Sequence, residues 1–215
     1  MSKNIASHFE NGTEFTPTDP DQFNEPDMDY GPHHGRQTSF YETEMLRGTE
    51  IIGMDMHGMI TAAKTEEKRI ATLGLGGCTG VAVTAEYADG TRVGFIQHYS
   101  PISREVSSAV LDEATDYMAQ ARKPVSASAV IMTPGDWSRT SKGTWEMKAM
   151  DESLTQTLSM TAWHRLGAGA DIQVYPYSEE MEDENYAQGT LVIDFGRDGN
   201  TTILAEAIPM KPAES

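Results

Sequence analysis

The chain has 215 residues, 38% of them hydrophobic, enough for one domain with a substantial core and some excess polar sequence. Its 33 Asp and Glu against 16 Lys and Arg give a formal charge of −17, a field that repels nucleic acid phosphates and anionic lipid, so neither is expected as a partner. One cysteine excludes an intrachain disulfide, the opening "MSKNIASHFENG" lacks a secretory pattern, and no window approaches the ~18 to 20 apolar residues of a spanning helix, so a reducing cytoplasm is the expected location.

Residues 1–44 carry four prolines, many acids and amides, and aromatics without period. Such sequence buries too little apolar surface to offset its ordering entropy and reads as a disordered or extended arm, with residues 45–215 as the folded domain. From Glu50, "EIIGMDMHGMITAA" alternates around apolar positions and predicts a strand, or a hairpin broken at Gly58. "KRIATLGL" and "CTGVAVTAEY" follow as strands separated by glycines, and "ADG" at 88–90 is a hairpin turn that returns through "TRVGFIQH". "SREVSSAVLDEATDYMAQARK" opens on a capping Ser103 and sets Val106, Val110, Leu111, Ala114, Tyr117 and Met118 on one helical face. "PVSASAVIMTP" predicts a strand, residues 151–166 a second helix closed by Gly167, and "DIQVYPY", "GTLVIDF" and "TTILAEAI" three late strands. Two helices packed on a mixed, mostly antiparallel sheet make an α+β layered sandwich. The acidic "SEEMEDEN" at 178–185 reads as a solvated loop.

The one cysteine, Cys78, follows Gly74, Gly76 and Gly77. A nucleophilic thiol needs exposure, a base, and donors for the oxyanion that its attack creates. Glycines permit positive φ and close backbone approach, so the amides around Gly76 and Gly77 are candidate oxyanion donors. The candidate base is His98. A three-residue loop of Ala88, Asp89 and Gly90 pairs Tyr87 with Thr91 and sets His98 opposite Gly80, with Cys78 as its diagonal neighbour on the same face, Cα atoms ~7 to 8 Å apart. A two-residue turn at Asp89 and Gly90 sets His98 opposite Val81 instead and sends Cys78 to the other face. Thr72, six residues before Cys78, is placed to orient the imidazole through its second ring nitrogen. Each residue also has an ordinary reading: a small buried thiol, a satisfied histidine, a strand threonine.

At these residues the chain resembles the CheD family of chemoreceptor glutamine deamidases. "TLGLGGC" at 72–78 is similar to that family's Thr-Leu-Gly-Leu-Gly-Ser-Cys signature, with Gly77 where the family has Ser. "VGFIQHYSP" at 93–101 is similar to its segment of Val-Gly, apolar residues and a catalytic His before Pro, and "IIGMDMHGMITAA" to its opening strand. The resemblance implies Cys78 as nucleophile, His98 as general base and acid, and Thr72 as the third, orienting member. It further implies a CheD-like layered fold and deamidation of a protein substrate with an exposed glutamine, with no metal or organic cofactor and with room for a regulatory protein partner. The toxin deamidases of the cytotoxic necrotizing factor type share the Cys, His and Thr arrangement and an L-x-G-C turn. Two features depart from CheD. The acidic "SEEMEDEN" stands where the family has a Gly-rich, Arg-containing loop, and the Gly-Ala-Arg-Asn stretch before the second helix is not evident.

The alternative from another class is a catalytically silent CheD-like binding module that kept the fold and lost turnover. A third idea is Cu(I) held by Met54, Met56, His57 and Met59 with the tail histidines His33 and His34, against which gap-filling core packing is the plainer reading of the methionines. Trp137, Trp145 and Trp163 are expected in the core or at its rim, and His164 to complement the dipole at the end of the second helix.

Overall fold

The computed structural model describes residues 48–101, 104–178, 189–206 and 208–210. The arm at 1–44 with its His33 and His34, the cap at Ser103, and the acidic run beyond Ser178 lie outside the described residues. In chain order the elements are β1 (Thr49–Ile52), β2 (Met56–Ala62), β3 (Lys68–Thr72), β4 (Thr79–Glu86), β5 (Arg92–Tyr99), α1 (Arg104–Ala121) and β6 (Ser126–Arg139). There follow β7 (Trp145–Ala149), α2 (Glu152–Leu166), β8 (Asp171–Ser178), β9 (Leu191–Phe195), β10 (Thr201–Ala205) and β11 (Ile208–Met210).

These elements build the expected α+β layered sandwich, with the strands divided between two sheets. One runs β1-β3-β9-β10-β11; the other runs β2-β5-β4-β6-β7, with β8 beside β6. Among the described residues only β1 with β3 and β6 with β8 pair in parallel. Burial along β4 and β5 explains the layering. Nearly every position of both strands is buried, so they meet apolar material on both faces, unlike a half-solvated antiparallel pair. Ala82 and Ile96 turn toward Ile52, Ile70, Leu191, Ile193 and Phe195 of the first sheet. Val81, Val83, Val93 and Phe95 turn toward Leu111, Ala114 and Met118 of α1 and Leu158 and Ala162 of α2. The layers therefore run sheet, sheet, helices.

Both helices form where the periodicity places them. The Asp151 carboxylate accepts the Leu154 N–H at 2.9 Å to cap α2, and Gly167 closes it at φ 93, with His164 and Arg165 in the last turn. Leu111, Ala114 and Met118 of α1 are buried, whereas Tyr117 is exposed, so the apolar stripe is narrower than the spacing suggested.

Three predictions along the chain need correction. The first strand breaks at residues 53–55, not at Gly58, which lies inside β2, and its halves β1 and β2 join different sheets. Strand β6 continues through Pro134 to Arg139 and folds back as β7, a hairpin the sequence reading missed. "TTILAEAI" is interrupted at Glu206, at φ 49, which separates β10 from β11. Trp137, Trp145 and Trp163 are all more than half exposed, so none is a core residue. Two of them stand on the β6–β7 hairpin, beyond Met132, where β4 stops covering β6.

One end of the sandwich is held by Arg92 at the start of β5. Its buried guanidinium donates through Nη1 to the carbonyls of Gly196 (3.0 Å) and Asn200 (2.8 Å), and through Nη2 to those of Ala63 (2.9 Å) and Glu66 (2.7 Å). It also lies 5.0 Å over the Phe195 ring. A charge out of water persists only with such compensation. Arg92→Met keeps the bulk but leaves these acceptors unpaired, and urea unfolding is expected to show a loss of about 3 kcal/mol or more. Arg92→Lys, which lacks the planar fork, is expected to recover only part of it.

Candidate active site

Residues 73–78 carry the chain from β3 in one sheet to β4 in the other, and Leu75 anchors the crossing. Its side chain is buried in the inter-sheet core, and its N–H donates to the Gly189 carbonyl at 3.0 Å. Its carbonyl accepts the Cys78 amide across Gly76 and Gly77, and Gly77 stands at φ 81. That is the pattern of a type II turn, whose third position strains any residue with a Cβ. Tyr177 of β8 fixes the turn from the far side, its hydroxyl lying 3.0 Å from the Leu75 carbonyl and 2.7 Å from the Cys78 carbonyl. Tyr177 is thus a positioning residue that sequence reasoning missed.

The hairpin closes as the three-residue loop predicts. Tyr87 N–H donates to the Thr91 carbonyl at 2.9 Å, Gly90 stands at φ 83, and His98 pairs with Gly80. Cys78 is therefore diagonal to His98 on the face turned to the first sheet. Gly80 does not leave an open gap between them. A Cβ there would stand 3.0 Å from Leu75 and 3.1 Å from Leu191, so the glycine admits these two side chains. On the other flank of β5, Met56 of β2 pairs with His98.

Thr72, fully buried at the end of β3, reaches across from the first sheet. Its Oγ1 is 2.8 Å from the Ile52 carbonyl and 2.6 Å from His98 Nδ1. A hydroxyl has one hydrogen and a carbonyl can only accept, so Thr72 donates to Ile52 and accepts the His98 Nδ1–H, an assignment made from the network. The neutral ring then carries its lone pair on Nε2, the tautomer a general base requires. Nε2 is buried and has no hydrogen-bond partner among the described residues. Burial holds the His98 pKa below its ordinary 6.5, opposed by the negative charge of Asp55. Asp55, at φ 60 in the β1–β2 turn, accepts the Ser100 N–H at 2.9 Å and its hydroxyl at 3.2 Å, tying that turn to the end of β5.

Thr72 and His98 are thus in contact at one end of the inter-sheet space, and Cys78 shares that face as a diagonal neighbour without a hydrogen bond to Nε2. Cys78 is only 6% exposed, not the open thiol that nucleophilic attack calls for. It belongs to the buried cluster of Ile52, Leu75 and Leu191, and its sulfur lies 3.8 Å from that of Met54, which is itself 60% exposed. The Cys78 amide is engaged in the turn, which leaves the amides of Gly76 and Gly77, without acceptors among the described residues, as the candidate oxyanion donors. Beside the turn opens a cavity of about 180 Å³ lined by Gly77, Thr79, Tyr99, Ser100, Met150 and Asp151 among others.

The "MDMHGM" residues divide between faces. His57 stands 6.1 Å from the Phe95 ring and Met59 packs on the helix-side core, whereas Met54 and Met56 lie toward Cys78 and His98, so the four cannot share one ion. Among the described residues no group of three or more His, Cys, Asp and Glu is placed to hold a metal. No helix there is long and apolar enough to cross a membrane.

Compared with models of known protein families and with curated proteins, the chain matches none.

Thr72→Val removes the hydroxyl at equal bulk and leaves both of its partners unpaired. Urea unfolding is expected to show a loss of about 2 kcal/mol, largely restored by Thr72→Ser. As pH falls below 6.5, the unfolded chain takes up a proton that folded His98 resists, so stability drops between 6.5 and the lower folded pKa and levels off beneath it. The melting temperature is therefore expected to fall more steeply from about pH 7 to about pH 5 in the wild type than in His98→Gln.

Proposed function

We propose that the chain is a cysteine-dependent amidohydrolase that converts a protein glutamine to glutamate and ammonia. The observation that carries this reading is the 2.6 Å contact of Thr72 Oγ1 with His98 Nδ1, which leaves a basic Nε2 on the ring diagonal to Cys78. His98 takes the Sγ proton as the thiolate attacks the carboxamide carbon, and the Gly76 and Gly77 amides receive the oxyanion. His98 then protonates the departing nitrogen; ammonia leaves and a thioester remains. Water, deprotonated by the same ring, attacks the thioester carbon, the C–S bond breaks, and the thiol is restored. For the carboxamide to arrive, Met54 must swing aside, a motion its exposed, unbranched side chain permits.

A protein glutamine as substrate, with a regulatory protein as further partner, is drawn from the likeness of "TLGLGGC" and "VGFIQHYSP" to CheD. A lone cysteine used as a nucleophile suits the reducing cytoplasm. A second reading, a CheD-like binding module without turnover, is favoured by the burial of Cys78.

Alkylation of Cys78 by iodoacetamide at neutral pH separates the two. The amidase reading expects a rate above that of a free thiol, slowed by about 100-fold or more in His98→Gln and raised in Met54→Ala. It also expects ammonia release from glutamine-bearing proteins that Cys78→Ser abolishes. Alkylation no faster than a free thiol and indifferent to His98→Gln leaves the binding module standing.

A further inference from the structure

We propose that the same end of the sandwich is a site for a soft monovalent metal ion, Cu(I), held by Cys78 Sγ, Met54 Sδ and His98 Nε2, with Met56 as a fourth ligand in reach. Three observations carry it. The first is the spacing of the sulfurs. Placed 3.8 Å apart, and each about 2.3 Å from a shared ion as in metal thiolates, they subtend roughly 110° at it, an angle suited to trigonal or tetrahedral coordination.

The second is the histidine. His98 is 3% exposed, its Nδ1 is held by Thr72, and its Nε2 is a buried nitrogen without a partner among the described residues. In register, His98 stands between Met56 and Gly80, with Cys78 as its diagonal neighbour on the same face. Ligating imidazoles are oriented in this way, through a hydrogen bond on the other nitrogen. The third is the pair of thioethers. Met54 and Met56 are both more than half exposed; Met54 lies against the Cys78 sulfur and Met56 is the register partner of His98, so two sulfurs that build no core stand beside these two residues. A thiolate and thioethers with an imidazole suit cuprous copper, whereas ions that seek oxygen gain little from such a set.

Binding breaks the Cys78 S–H bond as the S–Cu bond forms. The proton passes to solvent, and copper stays cuprous, so no electron moves. A thiolate held in this way cannot attack a carboxamide, which makes the ion an off-switch for the nucleophile. The site shares residues with the amidase reading but needs no turnover. A protein that takes up Cu(I) and releases no ammonia keeps this inference and loses that reading; one that hydrolyses amides and takes up no Cu(I) does the reverse.

The test is an anaerobic titration of the full chain with Cu(I) buffered by bicinchoninate. One ion per chain is expected, with iodoacetamide alkylation of Cys78 suppressed in the loaded protein. Cys78→Ser is expected to abolish uptake. Met54→Leu, close in volume, is expected to weaken it about tenfold or more at an unchanged melting temperature. No uptake against the chelator overturns the proposal. So does uptake that survives Cys78→Ser, which would assign the ion to other residues such as His33 and His34, and so does an affinity that Met54→Leu leaves unchanged.

Discussion

Everything in this fold depends on β5 being covered on both faces along its whole length. Its helix-side row packs on α1 and α2 and holds the strand in the middle of three layers. That leaves its opposite row, Arg92, Gly94, Ile96 and His98, confined between two sheets, where each position has a different task. Arg92 gathers the carbonyls of two loops, Gly94 admits Phe195 and Ile193, Ile96 fills the core, and His98 meets Thr72. A polar residue in such a row survives only where a partner meets it, and both polar members sit at the ends, where loops bring backbone carbonyls and a hydroxyl.

The candidate site exists because the chain changes sheets twice at one end. The β1–β2 turn brings Met54 and Asp55, and the β3–β4 crossing brings Cys78; both pass over the same end of β5. Thr72 then links the sheets, since its hydroxyl touches a carbonyl of the first and a ring of the second. Opening the end of the sandwich would separate His98 from Thr72, so local packing and the state of His98 are coupled. Cys78 and His98 lie inward, and the neighbouring Met54 and Met56 are long, unbranched and exposed.

The sequence made the local features legible. A loop ending in glycine set the β4–β5 register, a cap and a terminal glycine bounded α2, and the expected pairing of Thr72 with the His98 ring is present. What stayed hidden depends on distant partners. Whether β1 and β2 share a sheet is decided by β3 and β5, not by the glycines between them. Tyr177 acts on carbonyls about a hundred residues away, and "DIQVYPY" gives no sign of that. The burial of Cys78 follows from its place in the core cluster between the sheets, with Ile52, Leu75 and Leu191, which no local pattern announces, and alternation along "MDMHGM" shows only that Met54 and Met56 share a side.

Arg92 and His98 stand six positions apart on one strand, roughly 20 Å at the usual strand rise. Groups so far apart, with no shared partners, contribute to folding almost independently. The anchoring of this scaffold at Arg92 and the surroundings of its imidazole are thus tunable from opposite ends of a single strand, and an engineer could harden one without touching the other.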